Sequence, residues 1–549
     1  MVLLLLLVGL VVYPLAVAIL RATTDPTLRP DPRSLWTPAT RAVLVNTAGL
    51  VGASSLIAVV SGTLLAWVQE RTDGHLGLWG DLLPLVPLLL SPLVGAVGMV
   101  LLFHPFVGFV NVALRSAFRS VGLPMPDAGP LNIYTSSGLV LVTSLYLSPY
   151  AYLVLSAALR RVDPALEEAS RVTGAGLWRT LRRVTLPAVL PAIGTALLLC
   201  AIVGLGLFSI PVVIGLPARI QVLSVYIFQL LEYYPPRTGD ALALSGLLLA
   251  LVQLLLILQR ILIAPQRHAS LSGAFAARRH PLGPWRRPVR LFTVGYLLAA
   301  VLAPLGALFL VSLQPYWTPY LRGATVGLRH YLELVGSGVP ARAMLNSLLL
   351  GIATATLSIL WVAGLRLHRE ARAPGSPWTT LDLFTAFPAT FPHLVLAVAL
   401  LVAFGRPPLD LRGSAVLLLL AYLILSLPFS ARAAASACAA TGRQLVEASQ
   451  VFGAAPQQTL HRVLFPIARP FLISGWVVVF VQSAGEVTAS SVLAGSRTPV
   501  VGRLILDLQA YGSYPQLAAT AIALTCVNAL AVAVALRLGR SGLDALSTR

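Results

Sequence analysis

The stretch Glu168-Ala169-Ser170-Arg171-Val172-Thr173-Gly174-Ala175 returns 279 residues later as Glu447-Ala448-Ser449-Gln450-Val451-Phe452-Gly453-Ala454. The register then holds: Thr180 matches Thr459, Leu181 Leu460, Arg183 Arg462, Val184 Val463, Pro187 Pro466 and Pro191 Pro470, giving 12 identities in 24 positions. Elsewhere the chain is largely interchangeable Leu, Val and Ala. A polar loop written twice in such a background points to a docking surface and to a chain built from two copies of one unit.

The background itself places the chain in a membrane. Only 11% of its 549 residues are charged, 57% are hydrophobic, and the mean hydropathy is +0.85. No soluble fold of this length needs so many apolar runs of spanning length. The formal charge of +20 comes from 39 basic residues, all Arg. The absence of Lys follows a GC-rich codon bias, yet it excludes chemistry: neither a Walker A phosphate loop nor a Schiff-base enzyme can be made without that amine. ATP hydrolysis, if any, belongs to another polypeptide. Cys200, Cys438 and Cys526 are widely spaced and odd in number, which reads as small buried residues and not as disulfides or a metal site. The apolar run from Met1 has no basic segment before it and no small-residue cleavage site after it, so it is expected to be a first span and not a removable signal peptide, with room for a short natural N-terminus ahead of it.

Apolar runs of about 20 residues cross a ~30 Å hydrocarbon core. Twelve are expected, near 2–20, 42–67, 82–103, 136–159, 188–214, 241–263, 291–313, 344–365, 383–404, 413–436, 467–494 and 516–537. The third and ninth contain or adjoin Pro84, Pro87, Pro92 and Pro388, Pro392, which a membrane helix tolerates when neighbours satisfy the freed carbonyls. Between the sixth and seventh, Arg260, Arg267, Arg278, Arg279, Arg286, Arg287 and Arg290 stand without an acid. Retained Arg marks the cytoplasmic side, so this linker and both termini are expected there. The first repeated loop, with six Arg and three acids over 160–187, agrees; the 21–41 segment, with four Arg and two Asp, does not, and the linker outweighs it. Six spans separate the repeated loops, so both lie on one face and the halves form a parallel repeat. Asn46-Thr47 and Asn346-Ser347, each opening a long apolar span, are a weaker echo of the duplication. The organisation expected is a first half at 1–264, an Arg-rich linker at 265–290 and a second half at 291–549, with repeated loops near 160–187 and 437–466.

Within the first loop, Asp163-Pro164 is a helix start, Glu167 and Glu168 suit the positive end of the dipole, and Gly174 permits a break. A second short helix with Trp178, Leu181 and Val184 would follow, ended by Pro187 at the fifth span. One copy alone reads equally as an amphipathic hairpin on the bilayer surface; two copies in register favour docking.

This pattern resembles the "EAA" loop of the permeases of binding-protein-dependent ABC importers. The resemblance covers essentially the whole chain as two fused permease domains. It implies an all-α polytopic fold of the type I importer kind. It also implies two coupling helices, with coupling residues Glu168, Ala169, Gly174 and Pro187, and Glu447, Ala448, Gly453 and Pro466. Ser170 and Ser449 depart mildly from a pattern that often has Ala there. The implied partners are two ATP-binding cassette subunits, which would hold the ATP and Mg, an extracytoplasmic binding protein and the bilayer, with no nucleic acid. Pro130-Leu131-Asn132-Ile133-Tyr134, Leu159 to Ala169, Ile210-Pro211, Tyr234-Pro235-Pro236 and Gly485-Glu486 are similar to ferric-iron permeases, which makes ferric iron the preferred cargo. Permeases for thiamine, polyamines and phosphonates share parts of these patterns and stay open as alternatives.

Glu486 is the one acid expected well inside a span, where a carboxylate is costly and marks function. It either lines the substrate path or braces a helix through Ser483, Thr488, Ser490 or backbone N–H groups. Its counterpart is Leu207, within Gly204-Leu205-Gly206-Leu207-Phe208-Ser209. Gly485, Gly206 and Ser209 complete the candidate path, although helix packing accounts equally for the glycines. His104 and His393 read as satisfied structural groups, and no His/Cys/Asp cluster has metal spacing. Tight coordination of iron would fall to the binding protein. A secondary transporter fits twelve spans in two halves as well, and only the repeated loop argues against it. A scaffold or enzyme reading lacks any clustered catalytic set.

Overall fold

The computed structural model describes residues 2–547 except 31–34, 78–83, 85, 88–89, 124–126, 264–278, 321–325, 337, 374–378, 406 and 408. Most of the expected linker, Arg267 and Arg278 included, therefore lies outside the described residues, as does the start of the expected third span. The described chain is almost wholly helical. Among the described residues, nine helices are long and apolar enough to cross a membrane: Pro38–Arg71, Ser136–Leu159, Leu177–Gly206, Thr238–Leu262, Gly283–Ser312, Val339–Arg372, Ala415–Thr441, Pro456–Ala484 and Tyr514–Arg537. Val2–Thr24 is the helix at the expected first span.

Four expected spans need correction. Of the third, the described α-helix is Pro92–Phe103, 12 residues or about 18 Å, too short to cross alone. The ninth is a bent pair, Phe384–Thr390 and His393–Phe404, meeting at 107°. Pro392 removes a donor and restricts Phe391 to extended backbone, so the helix breaks there. The fifth ends at Gly206 and the eleventh at Ala484, not at 214 and 494. Each then turns through an irregular link into short helical pieces, Pro211–Gly215 and Leu223–Glu232 after the first, Thr488–Leu493 and Val501–Ala510 after the second.

The two halves repeat the same packing. The 38–71, 136–159 and 177–206 helices pack on one another, as do 339–372, 415–441 and 456–484. Pro149 and Pro428 lie inside equivalent members of the two triplets. Small residues let the backbones approach: a Cβ on Gly62 would stand 2.7 Å from Ala151 Cβ, and one on Gly475 would collide with Ala433. The halves also exchange helices. Val2–Thr24 packs on His393–Phe404, where Arg21 donates to the Val402 carbonyl at 2.7 Å. The Gly283–Ser312 helix packs on Pro92–Phe103, with Pro304 against Gly98.

Asn46-Thr47 and Asn346-Ser347 prove to be equivalent clamps. The Asn side chains donate to the carbonyls of Gln221 (3.2 Å) and Pro499 (2.8 Å). Thr47 Oγ1 accepts from the Leu223 N–H, and Ser347 Oγ from the Val501 N–H, both at 2.8 Å. Each clamp satisfies an otherwise orphan donor at a buried helix start. Thr47→Val or Ser347→Ala should each cost about 1–3 kcal/mol, the desolvation penalty of an unpaired buried N–H. The thermal midpoint in detergent should fall with either variant and fall further, additively, with both.

Candidate coupling and translocation sites

The first repeated helix, Pro164–Val172, starts on Asp163, whose Oδ1 accepts from the Ala165 N–H at 2.9 Å. It closes with Gly174 at φ +83°: Gly174 donates to Arg171 O (2.9 Å) and Ala175 to Ser170 O (3.1 Å). The second, Arg443–Val451, closes identically on Gly453 at φ +78°, with Gly453 to Gln450 O (2.9 Å) and Ala454 to Ser449 O (3.1 Å). Both are glycine-terminated ends of the Schellman kind, which a side-chain-bearing residue disfavours. The repeated Ser and Thr then find a use. Ser170 Oγ bonds Thr180 Oγ1 at 3.1 Å, and Ser449 Oγ bonds Thr459 Oγ1 at 2.9 Å, fixing each helix to the segment that follows.

That segment is not the separate surface helix expected from Trp178, Leu181 and Val184. It runs unbroken into the span as Leu177–Gly206, and its counterpart as Pro456–Ala484. Pro187 and Pro466 do not end a loop. Each lacks the N–H that an α-helical turn would use, and a π turn absorbs the defect: Leu186 donates to Leu181 O, and Phe465 to Leu460 O.

Of the expected coupling residues, Ala169 and Ala448 are exposed, and Glu168 and Glu447 half-buried, with Glu447 bonded to Arg443 at 2.5 Å. More telling are four residues that sequence reasoning passed over. Val172 and Val451 are 88% and 85% exposed, and Leu166 and Leu445 54% and 50%. Matched positions in the two copies present the same apolar side chains at the same exposure. The signal was available in the 279-residue register, where Leu166 and Leu445 stand opposite each other just ahead of the quoted repeat.

The candidate path residues gather where the helices break. Gly206 ends its helix, and a Cβ built there would first meet Pro392 at 3.9 Å, so breaks from the two halves face each other. Ser209 is buried just beyond. Glu486, 8% exposed, sits in the break that follows Ala484 and Gly485, not within a continuous span. Its Oε1 accepts from the Ala489 N–H and its Oε2 from the Ser490 N–H, both at 2.9 Å. His393 Nδ1 lies 3.3 Å from Oε1. The carboxylate therefore braces the start of the Thr488–Leu493 helix and ties it to the bent ninth element. Gly502 packs against the Glu486 carbonyl and Ser490 Oγ. His104, in contrast, accepts weakly from the Phe106 and Val107 N–H groups, and its ring stands edge-on to Tyr134 and Trp317.

Two charged clusters were not anticipated. Arg503 joins the halves, 2.8 Å from Glu232 Oε1 and 3.0 Å from Asp507 Oδ1, while donating to Ser491 O. Glu167, on the inner face of the first repeated helix, is buried with Arg71, Thr185 and His280. Burial raises its pKa, but the bonds from His280 and Thr185 and the Arg71 charge outweigh burial and leave it below the usual Glu value. Glu167 aligns with the buried Val446, so an acid stands at a core position, a sign that only the register comparison carries.

The profile of the "binding-protein-dependent transport system inner membrane component" family matches residues 58–267 and again 371–541. The chain belongs to this family. It is a transport permease of the ABC importer group and a multi-pass inner-membrane protein, not itself an enzyme. The permease is 30% identical over 513 residues (90% of this chain, 87% of the relative) to the probable ABC transporter permease protein y4fN of Sinorhizobium fredii. It is 24% identical over 483 residues (86% and 67%) to the ferric transport system permease protein FbpB of Actinobacillus pleuropneumoniae. The molybdenum transport system permease protein ModB of Mycobacterium bovis is 29% identical over 202 residues, 34% of this chain and 76% of the relative.

Proposed function

We propose that this permease forms the translocation path of an ATP-driven importer and that two separate ATPase subunits, holding ATP and Mg, dock on Pro164–Val172 and Arg443–Val451. The observation that carries this is the pair of glycine-closed helices, each offering the same Leu and Val knobs at the same exposure. Exposed apolar side chains in matched positions suit a partner used twice. The coupling residues are then Glu168, Ala169 and Gly174 with Glu447, Ala448 and Gly453, while Pro187 and Pro466 shape the helix that receives the movement. The Arg-rich linker supports a cytoplasmic position for these helices and both termini, with a first half at 1–264 and a second at 291–549. The binding protein would deliver cargo on the other side, toward the breaks at Gly206, Ser209, Gly485 and Glu486.

Ferric iron is the preferred cargo, supported by the FbpB relatives over most of the chain. Reconstituted with its ATPase and binding protein, the complex should take up radiolabelled ferric iron in an ATP-dependent way and carry thiamine, phosphonate and molybdate at least tenfold less. ATP-dependent uptake of one of those instead would reassign the cargo and keep the importer. Uptake with no ATP requirement would favour a secondary transporter.

A further inference from the structure

Near the end of the linker between the halves, His280 is buried against the first coupling helix. His280 Nε2 lies 2.7 Å from Glu167 Oε2, and Nδ1 lies 3.0 Å from the Arg171 guanidinium. A guanidinium only donates, so Nδ1 accepts, and Nε2 carries the hydrogen given to Glu167. The Thr185 hydroxyl donates to the other carboxylate oxygen at 2.7 Å. Arg71 stands 3.8 Å from Glu167 and donates to the carbonyls of Leu159 and Val162, both at 2.6 Å. The side chains of Glu167, Arg71 and His280 are only 1%, 3% and 6% exposed. A carboxylate so deeply placed is costly unless every lone pair is used, and here the linker supplies one of its partners.

The backbone makes the same connection. His280 N–H donates to Arg71 O at 2.8 Å, and His280 O accepts from Asp73 N–H at 3.0 Å. Leu282 N–H then donates to Asp73 Oδ1 at 2.9 Å, and the Gly283–Ser312 helix, the first of the second half, begins at the next residue. The second coupling helix is held otherwise. Val446 replaces Glu167 and Gln450 replaces Arg171; Gln450 donates to Ala371 O at 3.1 Å, and Val446 packs among Leu367, Ala371, Ala437, Leu464 and Ala468.

We infer that His280 makes the inter-half linker a positioning element of the first coupling helix, fastening that helix to the start of the second half and rendering the two ATPase docking helices mechanically inequivalent. Movement of Pro164–Val172 is passed to both halves, and movement of Arg443–Val451 to its own half. The inference rests on the docking reading above only for its consequence, since the strap exists without the ATPase.

Hydrogen exchange on the full-length permease in lipid nanodiscs, without ATPase, tests it. His280→Ala should speed amide exchange over 165–175 by about tenfold or more, as loss of a hydrogen bond to a charged group implies, and leave 444–454 unchanged. His280→Gln, whose amide reaches the place of Nε2, should restore protection. If His280→Ala does not fold, Glu167→Gln should give the same one-sided pattern. Unchanged exchange over 165–175, or equal acceleration in both helices, would overturn the inference. In the reconstituted complex, His280→Ala should raise the ATP spent per ferric ion taken up, and His280→Gln should restore it. One-sided exchange with no ATPase contact at either helix would uphold the strap and sink only the docking reading.

Discussion

Aspartate at both Val172 and Val451 should strip the ATPase from the permease and abolish uptake while leaving the permease folded. Both valines project from the ends of the two repeated helices and are 88% and 85% exposed, so no core contact is lost. A carboxylate near a helix C-terminus costs only about 0.3–1 kcal/mol. Under a docked partner the balance is different, because a short carboxylate buried in an apolar groove has neither water nor a counter-ion. Loss of about 2 kcal/mol or more per site, the scale of an interface hot spot, weakens each contact roughly thirtyfold. Co-purification of the ATPase should fail, the thermal midpoint should hardly move, and Val172→Ile with Val451→Ile should behave as wild type. An aspartate double variant that still retains ATPase and transports normally would remove these helices from the interface.

Glu486→Ala should produce the largest loss of stability among single changes near the path. It leaves the N–H groups of Ala489 and Ser490 buried without acceptors and takes the partner from His393. Unpaired buried donors cost about 1–3 kcal/mol each, so the thermal midpoint in detergent should drop by an amount equivalent to roughly 3–5 kcal/mol. Glu486→Gln keeps the shape and one acceptor oxygen, but its amide meets a backbone N–H as donor against donor. It should express and lose uptake with a smaller drop in midpoint. If Glu486→Ala melts with the wild type, the brace is not structural; if Glu486→Gln transports normally, the carboxylate has no part in the path.

Several features are legible in the sequence because their causes are local. Asp163-Pro164 starts a helix, Gly174 and Gly453 end one, and runs of Leu and Val set the spans. The prolines at 92 and 392 warned of trouble in the third and ninth spans, yet did not say that one would be a 12-residue helix and the other a 107° bend. Equally, Gly206 and Gly485 were visible as small residues, but small residues pack helices as readily as they end them. What ends these two is the capture of the following segment elsewhere, by Thr47 and Ser347 across more than 150 residues.

The same divide runs through the functional surfaces. Amino-acid order alone determined that the chain is a duplicated membrane protein with two matching polar loops and no lysine for ATP chemistry, since composition, period and repetition need no partner to be read. Only the tertiary structure decided that Val172 and Val451 face outward and Glu167 inward, that Glu486 binds backbone instead of lining a continuous span, and that the halves exchange their first helices. It alone put His280 on Glu167, 113 residues apart. A side chain's neighbours across the fold set whether its burial is satisfied, and no local pattern contains those neighbours.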